Sequence, residues 1–339
     1  MRLARGHLGG KALKLLGYAI VGYLILRLIP SLESALTSLE RMQWQWLAFA
    51  VGLELVSETG FVLSWRSIVD PEDVLSREGR GAGTARRLAW VQLGGGMFVP
   101  GGSLSSVGVG TWLLRRFGMP VKQIAERQLN LQLLNTGVDA LALIGGGVIL
   151  AVGILPGKRQ GAALTLAPAG VALVGIAAAL WVAAKGERYA QRSSARHPKV
   201  AATVGAASEA VEDTREILTH RQGLRSVFGA VVYLFFDVLV LWSAFVALNT
   251  KPLPSFAVVV MAYIIGALGG SLPLPAGVGA VLGMVGMLVL YGVPHNDALA
   301  AVIVYQAIGQ LVPLLGGGIA WMFLRFTIGP LKKIEQAQA

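Results

Sequence analysis

The sequence predicts an all-α integral membrane protein of six full spans and two oppositely oriented re-entrant helical hairpins, built as an inverted repeat. Three observations carry this. Of 339 residues, 55% are hydrophobic and 14% charged, whereas soluble domains run near ~25% charged. Several apolar stretches are long enough for the roughly 20 residues that a helix needs to cross a hydrocarbon core. The 29 Lys and Arg crowd into some connections and are sparse in others, as the positive-inside rule requires of cytoplasmic loops.

Apolar windows place full spans at residues 15–29, 46–65, 129–152, 164–184, 227–248 and 299–324. The first follows a basic N-terminal run and resembles a signal peptide in outline. Arg27 interrupts it and no small-x-small site follows Pro30, so it is expected to stay as a span. The second is flanked by Trp44, Trp46 and Trp65, which suggests an interfacial aromatic belt. Residues 88–114 and 256–290 are also apolar, but Pro100-Gly101-Gly102 breaks one and Pro273-Leu274-Pro275-Ala276-Gly277 the other. The backbone groups freed at such breaks must be buried in protein or line a wet cavity.

Charge decides whether the broken stretches cross. The N-terminus carries four basic residues, 66–87 five, 115–127 four, 185–225 eight and the segment after Leu324 three. The connection 292–298 has none. Basic loops therefore bracket 88–114 on both sides, and poor ones bracket 256–290. The first stretch should be a hairpin entering from the cytoplasm and the second a hairpin entering from the opposite face. Both termini and the loop 185–225 then lie in the cytoplasm of a multi-pass cell-membrane protein. Within that loop, the mixed-charge run 208–216 reads as a cytoplasmic helix or the extension of a span.

The broken stretches recur in a wider pattern. Pro100 and Pro275, Gly118-Met119-Pro120 and Gly292-Val293-Pro294, and Gly145-Gly146-Gly147 and Gly316-Gly317-Gly318 follow in the same order. This divides the chain into a first membrane repeat, 1–152, and a second, 153–339. Inverted repeats with discontinuous helices are a mark of alternating-access transporters.

Polar groups at membrane depth are costly and usually face a cavity or a partner. Gln128, Gln132, Asn135 and Asp139 share one helical face of the third span. Gln306 and Gln310 lie one turn apart on the last span, at the matching place in the repeat. Glu54 and Glu58 on the second span and Asp237 on the fifth are the candidate coupling acids, either protonated or wet. As an alternative, these acids act only as hydrogen-bonding glue between helices. With no Cys, and with His7, His197, His220 and His295 all outside the apolar spans, neither a metal centre nor a cofactor is expected. Gly277-Val278-Gly279 begins like a dinucleotide loop, but no strand precedes it. Gly279 and Gly283, four apart, suit close helix packing instead.

The string Leu272-Pro273-Leu274-Pro275-Ala276-Gly277-Val278-Gly279, with Tyr291-Gly292-Val293-Pro294, Ala298 and Tyr305-Gln306 beyond it, resembles the lysylphosphatidylglycerol synthase transmembrane, or flippase-like, family. Residues 135–143, with Asp139, are similar to that family's Leu-rich helix ending in an Asp. The chain departs from the family pattern at Ala276 (Gly in the family), Leu282 (Glu), Gln306 (Arg) and Thr136 (Arg). The resemblance implies lipid translocation between leaflets, in some members alongside a soluble aminoacyl-transfer domain that is not expected here.

The expected function is therefore a non-enzymatic transporter that flips or scrambles a lipid through a polar cavity at the repeat interface. Its path would run along Pro100, Gly101, Gly102, Gln132, Asn135, Asp139, Pro273, Pro275, Gly277, Gly279, Gln306 and Gln310. The expected partners are membrane lipids and not nucleic acid, with homo-oligomerisation left open. The alternative is a proton-coupled secondary transporter of a small polar solute. An enzyme acting on a lipid-linked substrate and an accessory membrane subunit rank below these. The topology is directly testable in this Cys-free chain. A Cys placed at His295 should react with an impermeant thiol reagent only from outside, and one placed within 185–225 only from the cytoplasm.

Overall fold

The computed structural model describes residues 42–77, 83–98, 103–153, 161–193, 221–270 and 278–327, with a few isolated positions between 208 and 214. The expected first span, most of the loop 185–225 and the breaks at 100–102 and 273–277 lie outside the described residues. The described chain is helical throughout: α1 (Trp44–Val69), α2 (Val74–Arg77), α3 (Thr84–Phe98), α4 (Ser103–Arg116), α5 (Val121–Val152), α6 (Ala162–Ser193), α7 (Arg221–Ala247), α8 (Phe256–Gly270), α9 (Val278–Leu290) and α10 (His295–Thr327).

Five of these, α1, α5, α6, α7 and α10, are long and apolar enough to cross a membrane. They match the five predicted spans that fall on described residues. Their ends extend further than the apolar windows because a helix keeps its hydrogen bonds after its side chains turn polar. α5 starts at Val121, after Pro120 has set an extended N-cap, and stops where Gly153 turns left-handed at φ 73° and returns its N–H to Ile149. Its first turns carry Lys122 and Glu126, which pair at 3.6 Å, and Arg127, which donates to the Val69 carbonyl.

The two broken stretches are each a pair of short helices. At 15 and 14 residues in the first pair and 15 and 13 in the second, each helix is about 20–22 Å long, less than the ~30 Å hydrocarbon thickness. Each pair closes on small residues. A Cβ on Gly95 would lie 2.6 Å from the Val109 side chain, and one on Gly269 would lie 2.3 Å from the Gly279 carbonyl oxygen. Gly279 and Gly283 thus serve the close packing expected of them, against Gly269 and Gly266. Both pairs end at a left-handed glycine, Gly118 (φ 85°) and Gly292 (φ 89°), a conformation that glycine adopts without steric penalty.

At the centre, α1 and α7 cross with their backbones in contact. A Cβ on Gly60 would lie 2.6 Å from the Tyr233 nitrogen and 2.7 Å from the Gly229 oxygen, and one on Gly229 would lie 2.6 Å from the Gly60 oxygen. The Ser57 hydroxyl donates to the Tyr233 carbonyl at 2.8 Å, and the Ser64 hydroxyl donates to the Ser226 carbonyl at 2.7 Å. α5 and α10 each pack against both members of this pair. Each of the two also reaches one of the short-helix pairs. Gly146 of α5 meets Met261 of α8, while Gly316 and Gly317 of α10 lie under Trp90 and Gly94 of α3.

Arg66 pairs with Asp73 at 3.0 Å where α1 ends. Beside it, burial holds the Asp70 carboxyl above its ordinary range, opposed by backbone N–H groups of Leu75 and Val74. One prediction follows from the crossing. Gly60→Leu would have to separate two backbones, at a cost of about 1–3 kcal/mol or more, and should lower the Tm in detergent by several degrees. Gly52→Ala, where a Cβ meets nothing within 4 Å, should leave it unchanged.

Candidate functional site

The α1–α7 crossing fixes what lies next to it. Glu54 and Glu58 sit one turn apart on α1, just before Gly60, and Asp237 sits one turn past Tyr233 on α7. Because the two backbones touch, carboxylates far apart in sequence share one buried pocket. Glu54 and Glu58 are each 2% exposed and Asp237 5%. The two glutamates interact directly across one helical turn. The Tyr263 hydroxyl, from α8, donates to Asp237 Oδ2 at 2.6 Å, and the Tyr305 hydroxyl, from α10, also engages Asp237. The two tyrosine rings meet edge to face, 6.1 Å apart.

The structure therefore brings the three candidate coupling acids together. Asp139 of α5 also faces Asp237 across the pocket. One oxygen of each of the three acids, Glu54 Oε2, Glu58 Oε2 and Asp237 Oδ1, is buried without a hydrogen-bond partner. Neither of the ion pairs found among the described residues includes these carboxylates. Among the described residues no group of His, Asp and Glu is arranged to hold a metal ion. Three unpaired carboxyl oxygens in a low-dielectric interior form an electrostatic arrangement that is stable only when protons or water satisfy them.

The amides of the polar stripe divide into two sets. Gln128 is buried and reciprocally bonded to Gln92 of α3, with Gln92 Nε2 donating to Gln128 Oε1 at 3.0 Å and Gln128 Nε2 to Gln92 Oε1 at 2.9 Å. The Trp65 indole N–H donates to the same Gln92 oxygen at 2.8 Å. Trp65 is fully buried, so it is a clasp between α1 and α3 and not part of an aromatic belt; Trp44, 74% exposed, fits that role. Gln132 and Gln310 are exposed, and Asn135, Asp139 and Gln306 half-buried. Gln310 donates to Gln306 at 3.1 Å. Gly279 is buried in the α8–α9 seam, and Pro100, Gly101, Gly102, Pro273, Pro275 and Gly277 lie outside the described residues.

Several residues of this arrangement carried no functional assignment in the sequence reading. Tyr263 and Tyr305 are the main ones. A tyrosine in an apolar run must find a partner for its hydroxyl, and an acid elsewhere in the spans is the natural candidate. Gly60 and Gly229 were also missed, although Ser57, Gly60 and Ser64 mark a small-residue face at three- and four-residue spacing. The Gln92–Gln128 clasp leads to a stability prediction. Gln92→Leu strands the Gln128 amide and the Trp65 N–H, at roughly 1–3 kcal/mol for unsatisfied buried groups. The double variant Gln92→Leu/Gln128→Leu should lose less than the sum of the single variants in a thermal-stability cycle.

Comparison with curated proteins finds no match to the chain. The family model described as "Lysylphosphatidylglycerol synthase TM region" matches residues 14–317, which includes every described residue of the site. With five apolar helices of membrane-crossing length and this match over most of its length, the chain is a multi-pass membrane protein that belongs to the lysylphosphatidylglycerol synthase TM region family.

Proposed function

We propose that the protein moves lipid headgroups between the leaflets of the cell membrane along the polar faces of α5 and α10, while acyl chains stay in the bilayer. Family membership supports a membrane lipid-related role. The observation that carries the finer reading is the convergence of these two faces on one carboxylate. Asp139 from α5 and Tyr305 from α10 both approach Asp237. Gln132 and Asn135 continue the face of Asp139, and Gln306 and Gln310 continue that of Tyr305. Amides exposed along a span are costly against lipid and favourable against a hydrated headgroup.

The inverted-repeat architecture supports the same reading. Gly118 and Gly292 stand 174 positions apart with the same left-handed conformation, each before a long helix. Each long helix carries a glycine triplet that receives the hairpin of the other half. α3 begins and α4 ends at the end of the bundle where Arg87 stacks on Phe323 and Trp112 meets Trp321. α8 begins and α9 ends at the other, following the C-terminus of α7 and preceding the N-terminus of α10. In this architecture the hairpins are re-entrant from opposite faces, both termini are cytoplasmic, and α4 and α9 offer N-terminal backbone N–H groups to a phosphate from either side.

Reconstitution into liposomes with a leaflet-resolved assay of labelled phospholipid tests the proposal. The wild type should move lipid, and Gln132→Leu/Gln306→Leu should slow it by about tenfold, the effect of two lost hydrogen bonds at ~0.5–1.5 kcal/mol each, without loss of folded protein. Uptake of a small polar solute with no lipid movement would transfer the site to the rival reading.

A further inference from the structure

We propose that Glu54, Glu58 and Asp237, with Tyr263 and Tyr305 against them, form an intramembrane proton-binding site that trades protons with water as α8 and α10 shift. That this exchange drives lipid movement rests on the function proposed above; the proton site itself does not. The argument begins with what surrounds the acids. Among the described residues, every titratable side chain facing the pocket is acidic or phenolic: Glu54 and Glu58 on α1, Asp139 on α5, Tyr233 and Asp237 on α7, Tyr263 on α8 and Tyr305 on α10. α3, also packed on α1, carries its only charges, Arg86 and Arg87, in its first turn. The usual way to hold a buried carboxylate, an ion pair, is absent from these neighbours.

The hydrogen bonds then indicate where a proton belongs. Asp237 accepts from the Tyr263 hydroxyl at 2.6 Å, with Tyr305 beside it, which suits a carboxylate. Glu54 and Glu58 lie one turn apart and interact in the same pocket, and two carboxyl groups can bond to each other only through a proton on one of them. Each still has one buried oxygen without a partner, a free place for a second proton or an entering water. The exchange is simple in its balance: a carboxylic O–H gives its proton to water, and the bonding pair remains on the carboxylate oxygen.

Position links this exchange to movement. The acids sit on the α1–α7 crossing, whereas the Tyr263 hydroxyl that bonds Asp237 and the neighbouring Tyr305 come from other helices. Tyr263 stands on a short helix whose seam with α9 is made of glycines, and Tyr305 stands on α10 beside Gln306. A displacement of α8 removes the donor from Asp237, and a displacement of α10 opens the pocket towards the exposed amides. Tyr263 is therefore a positioning residue for the proton site.

Two measurements test this on the purified full-length protein. The first is infrared difference spectroscopy between acidic and alkaline buffer, which reads the C=O stretch of protonated carboxyl groups. The wild type should show a titrating band that Glu58→Gln/Asp237→Asn removes. Tyr263→Phe should keep the band and move its midpoint to higher pH, because a donor to the carboxylate is gone. No titrating band, or one unchanged in the double variant, overturns the proton site whether or not lipid moves. The second measurement uses vesicles of phosphatidylcholine and phosphatidylglycerol containing labelled phosphatidylglycerol, under an imposed pH gradient. The label should build up on one side by up to about tenfold per pH unit for one coupled proton, and the double variant should only equilibrate it. Equilibration by the wild type regardless of gradient overturns the coupling. Absence of any lipid movement overturns the lipid reading, while the infrared result still decides the proton site.

Discussion

The contact of two backbones at Gly60 and Gly229 is the constraint on which the described structure depends. Apolar side chains gain little by leaving lipid for one another, so helix association in a membrane relies on close packing and on hydrogen bonds between helices. Here both come from the same few residues. The missing side chains let α1 and α7 touch, and the resulting proximity makes the Ser57 and Ser64 bonds short enough to form. The long helices α5 and α10 then have a paired surface to pack on, and the hairpins pack on them in turn. The carboxylate pocket is a by-product of this geometry, since only direct backbone contact brings Glu54, Glu58 and Asp237 to one place.

The two hairpins differ in how they are held. The first is tied by the Gln92–Gln128 amide pair and the Trp65 indole, a polar network with directional bonds. The second closes by glycine on glycine, with the Met284 side chain against Gly266, and is tied to the bundle by the directional Tyr263 bond to Asp237. A network of hydrogen bonds in a low-dielectric interior resists displacement, whereas a smooth apolar seam with a flexible thioether does not.

Much of this outline was legible in the sequence. The five described spans, both broken stretches and the glycine turns followed from hydropathy and from Pro and Gly placement, because each reflects a local rule of chain geometry. The acids were picked out because a carboxylate at membrane depth is expensive wherever it sits. Their meeting was not legible, since nothing in a linear sequence says which helix faces Gly60. Trp65 was misassigned for the same reason: its position at a helix end suits an interface, but Gln92 waits inside the protein. The stripe on α5 was read as one face with one purpose, and the structure divides it, with Gln128 in the clasp and Gln132 on the surface.

The meeting of α1 and α7 also has a consequence for synthesis. Ser57 and Tyr233 are 176 residues apart, so at roughly 5–20 residues per second the ribosome needs on the order of ten to thirty-five seconds after making one helix to make the other. For that interval α1 exists without the partner that buries its two glutamates. The newborn chain must pass the wait with these side chains neutral, in the water of the insertion machinery, or near the membrane surface. A slow stretch of translation between the two helices would lengthen the exposure, and rapid delivery of α7 would end it.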